Sequence, residues 1–94
     1  MRDERKLADV LMVVYRRMEL DDAANELEVK NTYHKVVGNL ISKLTWDVKY
    51  DKGTLYVKLA SAALRNELMY KKTDLENKIN DALGRKAVSK IVFI

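Results

Sequence analysis

Residues 53–93 read GTLYVKLASAALRNELMYKKTDLENKINDALGRKAVSKIVF, and this stretch decides the fold. Apolar and polar side chains alternate over Thr54–Leu59, which is the period of a β-strand. The period becomes helical over Ser61–Tyr70 and again over Thr73–Gly84, where Thr-Asp-Leu-Glu forms a capping box and the glycine ends the helix. The β-branched segment Val88–Phe93 predicts a closing strand. The stretch therefore predicts strand, helix, helix and strand in that order.

A further strand precedes this stretch and completes a hairpin. Trp46, Val48 and Tyr50 alternate with charged residues, so we expect these three side chains to face the core and the charged ones to face outward. Asp51–Gly53 is predicted as a three-residue loop, with the glycine free to adopt a positive φ. One face of the hairpin should therefore be covered and the other exposed.

Three helices are predicted before the hairpin, over residues 4–18, 21–27 and 32–44. The first has an apolar stripe at helical spacing, formed by Leu7, Leu11, Val14, Tyr15 and Met18. The candidate N-caps are Asp21 or Asp22 for the second helix and Asn31 or Thr32 for the third. Gly38 lies inside the third helix, where a glycine is unfavourable, so we expect another element to approach closely there.

The element order from Asn31 onward is α-β-β-α-α-β, which is that of a type II KH domain, a nucleic-acid-binding module. We therefore expect an α+β fold in which a three-stranded sheet packs on helices, with an extra N-terminal helix. A chain of 94 residues suffices for one domain. Within it we distinguish an N-terminal helical extension, residues 1–30, from a core, residues 31–94.

Charge is distributed unevenly along the chain. Residues 1–28 carry five basic and eight acidic side chains, a sum of −3, whereas residues 29–94 carry thirteen basic and six acidic ones, a sum of +7. A basic region of this kind is where a polyanion would bind. The alternative meaning of the same charges is a solvated lysine surface.

The composition argues against several classes of protein. There is no cysteine and His34 is the only histidine, so a Cys/His metal site is excluded by count. The three glycines are isolated, so neither a phosphate-binding loop nor a dinucleotide fingerprint exists. We expect a protein that is not an enzyme and needs no cofactor. The N-terminus lacks the apolar segment of a signal peptide, and we expect a cytoplasmic protein that does not contact a membrane.

Four motifs carry a family resemblance. They are Gly-Thr-Leu-Tyr-Val at 53–57, Ser-Ala-Ala-Leu-Arg-Asn-Glu-Leu at 61–68, Ile-Asn-Asp-Ala-Leu-Gly at 79–84 and Ile-Val-Phe at 91–93. They resemble the DciA family, whose namesake assists loading of the bacterial replicative helicase. The resemblance covers about residues 31–93 and implies a KH-like domain in a short single-domain form. It also implies a non-enzymatic accessory protein that binds single-stranded or forked DNA, with the replicative helicase as a candidate partner.

The junction between the two consecutive helices departs from the KH pattern. A KH domain holds the nucleic-acid backbone with a GXXG loop at this point. Here residues 70–73 are Tyr-Lys-Lys-Thr, with no glycine. Lys71 and Lys72 could still meet phosphate through their charge and the N-terminus of the following helix, and we include both as candidate contacts. A polar turn between helices is the alternative.

The hairpin supplies a second group of candidate contacts. Lys49 and Lys58 are expected to share its outward face with Tyr56, which combines an aromatic ring with cations as in a base-stacking platform. Simple solvation of the two strands is the alternative. The remaining candidates for phosphate contacts are Lys35, Lys43, Arg65, Arg85 and Lys86.

Two other functions are compatible with the same sequence. A protein-interaction module that binds no nucleic acid is favoured by the missing GXXG and by the acidic N-terminal third. An RNA-binding KH-like module is favoured by the element order, which RNA-binding KH domains share.

Overall fold

The computed structural model has a mixed three-stranded sheet with helices packed on one face. It describes the backbone of residues 4–94 and the side chains from Ala24 onward. The elements are α1 Glu4–Lys43, β1 Thr45–Asp51, β2 Thr54–Leu59, α2 Ala62–Met69, α3 Lys72–Leu83 and β3 Lys90–Phe93. The predicted α+β class and the order α-β-β-α-α-β are confirmed. None of the described helices combines the length and apolar character needed to cross a membrane.

Helix α1 extends from Glu4 to Lys43, with its helical geometry interrupted at Gly38, so the predicted division into helices at 4–18, 21–27 and 32–44 is wrong. All four candidate capping residues lie inside it. A capping side chain marks a helix end only where the backbone also leaves helical geometry, and neither glycine nor proline occurs before Gly38. The predicted boundary between extension and core, at residue 30, falls within this helix. The apolar stripe predicted for residues 7–18 lies outside the residues whose side chains are described.

Gly38 interrupts the helical geometry near the C-terminal end of α1. Its backbone has φ 84° and ψ 175°, a conformation that residues with a Cβ rarely adopt. Within the described part of the chain, no atom beyond the neighbouring residues and the adjacent helix backbone lies within 4 Å of the position that a Cβ would occupy, so the predicted close approach of another element is wrong. The glycine is needed for the backbone kink that precedes the last turn of α1.

The hairpin between β1 and β2 closes through a tighter loop than predicted. Asp51 pairs with Thr54, so only Lys52 and Gly53 form the loop. Both residues have positive φ, 47° and 84° respectively, as a type I′ turn requires. The Gly53 carbonyl accepts a hydrogen bond from the backbone N of Ser89 at 2.8 Å. The turn is therefore tied to the segment that enters β3, which pairs with β2 in parallel.

A β-bulge at the start of β1 reverses the orientation predicted for Trp46. Thr45 pairs with Leu59 and Asp47 pairs with Lys58, which leaves the intervening tryptophan without a partner on β2. The extra residue of a bulge shifts the alternation of side chains between the two faces. Trp46 is 67% exposed, so its predicted place in the core is wrong.

The core lies between the sheet and helices α1 and α3, with α2 against β2 and β3. Its buried side chains are Val29, Tyr33, Val48, Leu55, Val57, Leu59, Leu68, Leu75, Ile79, Val88 and Ile91. Tyr50 packs against this cluster, as predicted, and its hydroxyl donates to the Ala87 carbonyl at 2.6 Å. Within the strands the residues that alternate with the core positions are exposed or half-buried. The described helices therefore cover one face of the sheet.

Helix α3 begins two residues earlier than its predicted capping box, in which Thr73 is the N-cap. Lys71 is its N-cap and makes no side-chain capping hydrogen bond, while the Lys71 backbone N donates to the Leu68 carbonyl at 3.0 Å. Because α2 passes into α3 through this one tight turn, Thr73 lies within the first turn of α3 and the predicted capping box is wrong. Gly84 ends the helix in the left-handed conformation, with φ 73°, as predicted.

Asn80 organises the connection from α3 to β3. Its Oδ1 accepts hydrogen bonds from the backbone N of Ala87 at 3.1 Å and of Val88 at 2.8 Å, and its Nδ2 donates to the Val88 carbonyl at 2.8 Å. These bonds hold Val88 in the core before the strand begins. Strand β3 accordingly starts at Lys90, two residues later than predicted.

Candidate functional site

The face of the sheet opposite the helices is the first candidate surface, and we call it the open sheet face. Its side chains are Trp46, Asp47, Lys49 and Asp51 from β1, Thr54, Tyr56 and Lys58 from β2, Lys90 and Val92 from β3, and Ile94 after it. The strand register places Lys49 opposite Tyr56, and Tyr56 beside Val92. Lys49 and Lys58 therefore share this face with Tyr56, as predicted.

The bulge in β1 adds a second aromatic ring to the open sheet face. The Nζ atom of Lys58 lies 5.8 Å from the centroid of the Trp46 ring, within the range of a cation–π interaction. Tyr56 is 38% exposed and points the same way as Lys58, because the two are separated by one residue of β2. Each ring thus has a lysine next to it: Lys58 at Trp46 and Lys49 at Tyr56.

The charge of the open sheet face is moderate. Three lysines and two aspartates give a net charge of +1. One carboxylate oxygen of Asp47 accepts a hydrogen bond from the backbone N of Val48 at 2.9 Å, so this group is engaged by its own strand. The face therefore offers cations placed beside aromatic rings, an arrangement suited to ligands that combine anionic groups with flat apolar ones.

The turn between α2 and α3 is the second candidate surface. Tyr70 is 93% exposed, Lys71 is exposed and Lys72 is half-buried. The backbone N–H groups at the start of α3 donate no hydrogen bond to the side chain of the N-cap, and such a helix start favours anions. The acidic residue of the first turn, Asp74, is paired with Lys78 at 3.0 Å. Its carboxylate is therefore directed along α3 and engaged there.

Arg85, one of the predicted phosphate contacts, already has partners within the protein. Its guanidinium forms an ion pair with Glu28 at 3.2 Å and donates to the side-chain oxygen of Asn25. These contacts join the end of α3 to α1, so we assign Arg85 a structural role. The other predicted residues belong to helices or follow them: Lys35 and Lys43 are exposed on α1, Arg65 is half-buried on α2, and Lys86 is exposed after α3.

Two residues of the open sheet face were missed by sequence reasoning. Trp46 was assigned to the core because simple alternation places it with Val48, and no local signal indicates the bulge. Lys90 could have been found, because it alternates with the apolar residues Ile91 and Phe93 in the predicted closing strand.

The exposed groups of both surfaces offer stacking and ion pairing. In the part of the chain with described side chains, no three His, Cys, Asp or Glu residues are grouped so that they could hold a metal ion. His34 has its Nδ1 3.0 Å from the hydroxyl of Ser42 and its ring edge-on to that of Tyr33, with centroids 5.2 Å apart. It is therefore engaged within α1.

Comparison with known proteins gives one family match. A family model described as "Dna[CI] antecedent, DciA" matches residues 6–93. No curated protein and no solved structure matches the chain significantly. The family match includes the whole of the sheet, α2 and α3, together with nearly all of α1.

Proposed function

The chain belongs to the DciA family, and we propose that it is a non-enzymatic accessory protein that binds nucleic acid and assists loading of the bacterial replicative helicase in the cytoplasm. The observation that carries the proposal is the family match over residues 6–93, since the family suggests a role of the helicase-loader type. The order α-β-β-α-α-β supports the further assignment of a KH-like core to a single domain.

Charge supports the nucleic-acid part of the proposal. Residues 29–94 carry a net charge of +7, and exposed lysines lie on the open sheet face and in the α2–α3 turn. Lysines bind phosphates chiefly by displacing condensed counterions. The binding we propose is therefore largely non-specific and depends strongly on salt.

Fluorescence anisotropy across a salt series tests this proposal. Labelled single-stranded DNA, forked DNA and RNA of matched length are titrated with the protein, and the logarithm of the affinity is plotted against the logarithm of the salt concentration. For four phosphate contacts on a single strand we expect a slope of about −3. Preference for RNA over DNA would favour the RNA-binding alternative.

A loading assay tests the helicase part of the proposal. Replicative helicase and forked DNA are mixed with and without the protein, and we expect more helicase on the DNA when it is present. The DNA-binding role is overturned if the protein binds no nucleic acid even at low salt. If it still forms a complex with the helicase, the result favours a protein-interaction module.

Replacing both turn lysines tests the second candidate surface. We expect Lys71→Glu with Lys72→Glu to weaken DNA binding and to make the salt slope shallower by about 1.4, because two phosphate contacts are lost. Stability should change little, since neither side chain is buried and carboxylates are favourable near a helix start.

The matched control is Lys30→Glu with Lys52→Glu, which changes the net charge equally on α1 and in the β1–β2 loop, outside the turn. If the control weakens binding as much as the turn variant, general charge rather than the turn is responsible. Unchanged affinity in the turn variant would remove Lys71 and Lys72 as contacts.

A further inference from the structure

We propose that the open sheet face binds an unpaired segment of nucleic acid by stacking bases on Trp46 and Tyr56, with Lys49 and Lys58 meeting the flanking phosphates. This inference rests on the proposed function and adds to it the binding surface and the single-stranded character of the ligand.

The exposure of Trp46 is the first argument. Tryptophan is a large apolar side chain that is mostly buried in folded proteins, yet Trp46 is 67% exposed. A bulge in β1 turns its ring away from the core. Packing among the side chains described from Ala24 onward does not account for this position, because the core cluster and the side chains packed against it do not include Trp46. A ring held open to solvent on a rigid strand can stack on a base.

The arrangement of rings and cations is the second argument. Trp46 lies beside Lys58, whose Nζ is 5.8 Å from the ring centroid, and Tyr56 lies opposite Lys49. Tyr56 and Lys58 are two positions apart on β2, a separation of roughly 6.6 Å. The Trp46 ring, which lies beside Lys58, and the Tyr56 ring therefore follow one another along the strands. Lysine amines next to two stacking surfaces match a ligand in which flat bases alternate with phosphates.

The same arrangement indicates an unpaired strand as the occupant. Bases in a duplex are stacked on one another and cannot lie flat on a protein ring, whereas every unpaired base has a free face. An aliphatic protein partner is less well matched, because the aliphatic residues of this face, Val92 and Ile94, lie along the β3 edge. The two rings, Lys49 and Lys58 lie on β1 and β2.

The single tryptophan makes the proposal directly testable. Trp46 is the only tryptophan of the chain, so its fluorescence reports contact at this face alone. We expect oligothymidylate to quench the emission, and an abasic deoxyribose-phosphate strand of equal length to bind without quenching it. Trp46→Ala and Tyr56→Ala should each lower the affinity for oligothymidylate roughly 5- to 150-fold. Affinity for the abasic strand and for duplex DNA should change by less than about twofold.

Control variants separate stacking from structural damage. Trp46→Phe keeps a ring and should retain most of the affinity, whereas Leu27→Ala removes an exposed apolar side chain from α1, outside both candidate surfaces, and should leave binding to oligothymidylate unchanged. Trp46→Ala should keep the wild-type unfolding midpoint, because the side chain packs outside the core.

The outcomes distinguish this inference from the proposed function. If the wild-type protein and the Trp46→Ala variant bind oligothymidylate with equal affinity, the stacking surface is overturned but nucleic-acid binding still stands. Failure of the wild-type protein to bind any of the strands would overturn the proposed function itself. The face would instead bind a second copy of the chain if the wild-type protein sediments as a dimer, the Trp46→Ala variant sediments as a monomer, and DNA does not quench the tryptophan fluorescence.

Discussion

Tyr33→Ala should lower the free energy of unfolding by about 3–5 kcal/mol, the usual range for removing a fully buried aromatic ring. Tyr33 is among the largest fully buried side chains and lies in the part of α1 that packs on the sheet. Its hydroxyl also closes a short chain of hydrogen bonds. The Thr45 hydroxyl donates to the Ile41 carbonyl at 2.8 Å, so the Tyr33 hydroxyl, 3.0 Å from that oxygen, must be the donor to it.

Urea denaturation followed by circular dichroism measures this effect. Tyr33→Phe keeps the ring and loses only the hydrogen bond to Thr45, so we expect it to cost about 0.5–1.5 kcal/mol. The control Tyr70→Ala removes an exposed tyrosine and should stay within about 0.5 kcal/mol of the wild type. A loss for Tyr33→Ala no larger than that of the Phe variant would show that the ring is not part of the stable core.

Tyr33 should also make stability depend on pH in alkaline solution. Burial raises the pKa of the Tyr33 hydroxyl, because the charged phenolate is poorly solvated in the core. In the unfolded chain the same group titrates near its usual pKa of about 10. The unfolded state therefore loses the proton first. The free energy of unfolding keeps the full contribution of Tyr33 below about pH 10 and loses it as the pH rises through the folded pKa. Tyr33→Phe should lack this part of the alkaline loss.

Asn80→Ala should lower the free energy of unfolding by about 2–4 kcal/mol. The substitution removes three hydrogen bonds and leaves the backbone N of Ala87 and both the N and the carbonyl of Val88 without these partners. An unsatisfied buried group costs about 1–3 kcal/mol, and partial access of water reduces the sum here. The connection would also loosen around Val88, which is buried in the core.

Chemical denaturation and hydrogen exchange at the Val88 amide check this prediction. Asn80→Asp retains the acceptor but loses the Nδ2 donor and sets a carboxylate against the Val88 carbonyl, so its loss should be of similar size. The control Asn77→Ala alters an exposed residue of the same helix and should stay within about 0.5 kcal/mol of the wild type. Unchanged exchange at Val88 in the Asn80→Ala variant would contradict the proposed role.

Much of the fold follows from local patterns. The alternation in Thr54–Leu59 and the helical spacing before Gly84 predict β2 and α3 correctly to within a residue or two. Such periods depend only on neighbouring side chains and on the burial of one face. The failures in α1 are also local in origin. Candidate caps such as Asp21 were treated as helix ends, although the backbone around them has no reason to leave the helix.

The candidate site was predicted only in part. Lys49, Lys58 and Tyr56 were placed together correctly, because the alternation of a hairpin determines which side chains share a face. Trp46 was placed on the wrong face, since one extra residue in β1 changes the alternation.

The amino-acid sequence by itself determined the element types and their order, the excess of positive charge after residue 28 and the family. These properties depend on local periodicity, composition and short motifs. The tertiary structure alone decided that Trp46 lies on the open sheet face and that Arg85 is engaged by Glu28, 57 residues away in the chain. Both follow from the pairing of distant segments, because a bulge or an ion pair exists only once its partner has been brought alongside.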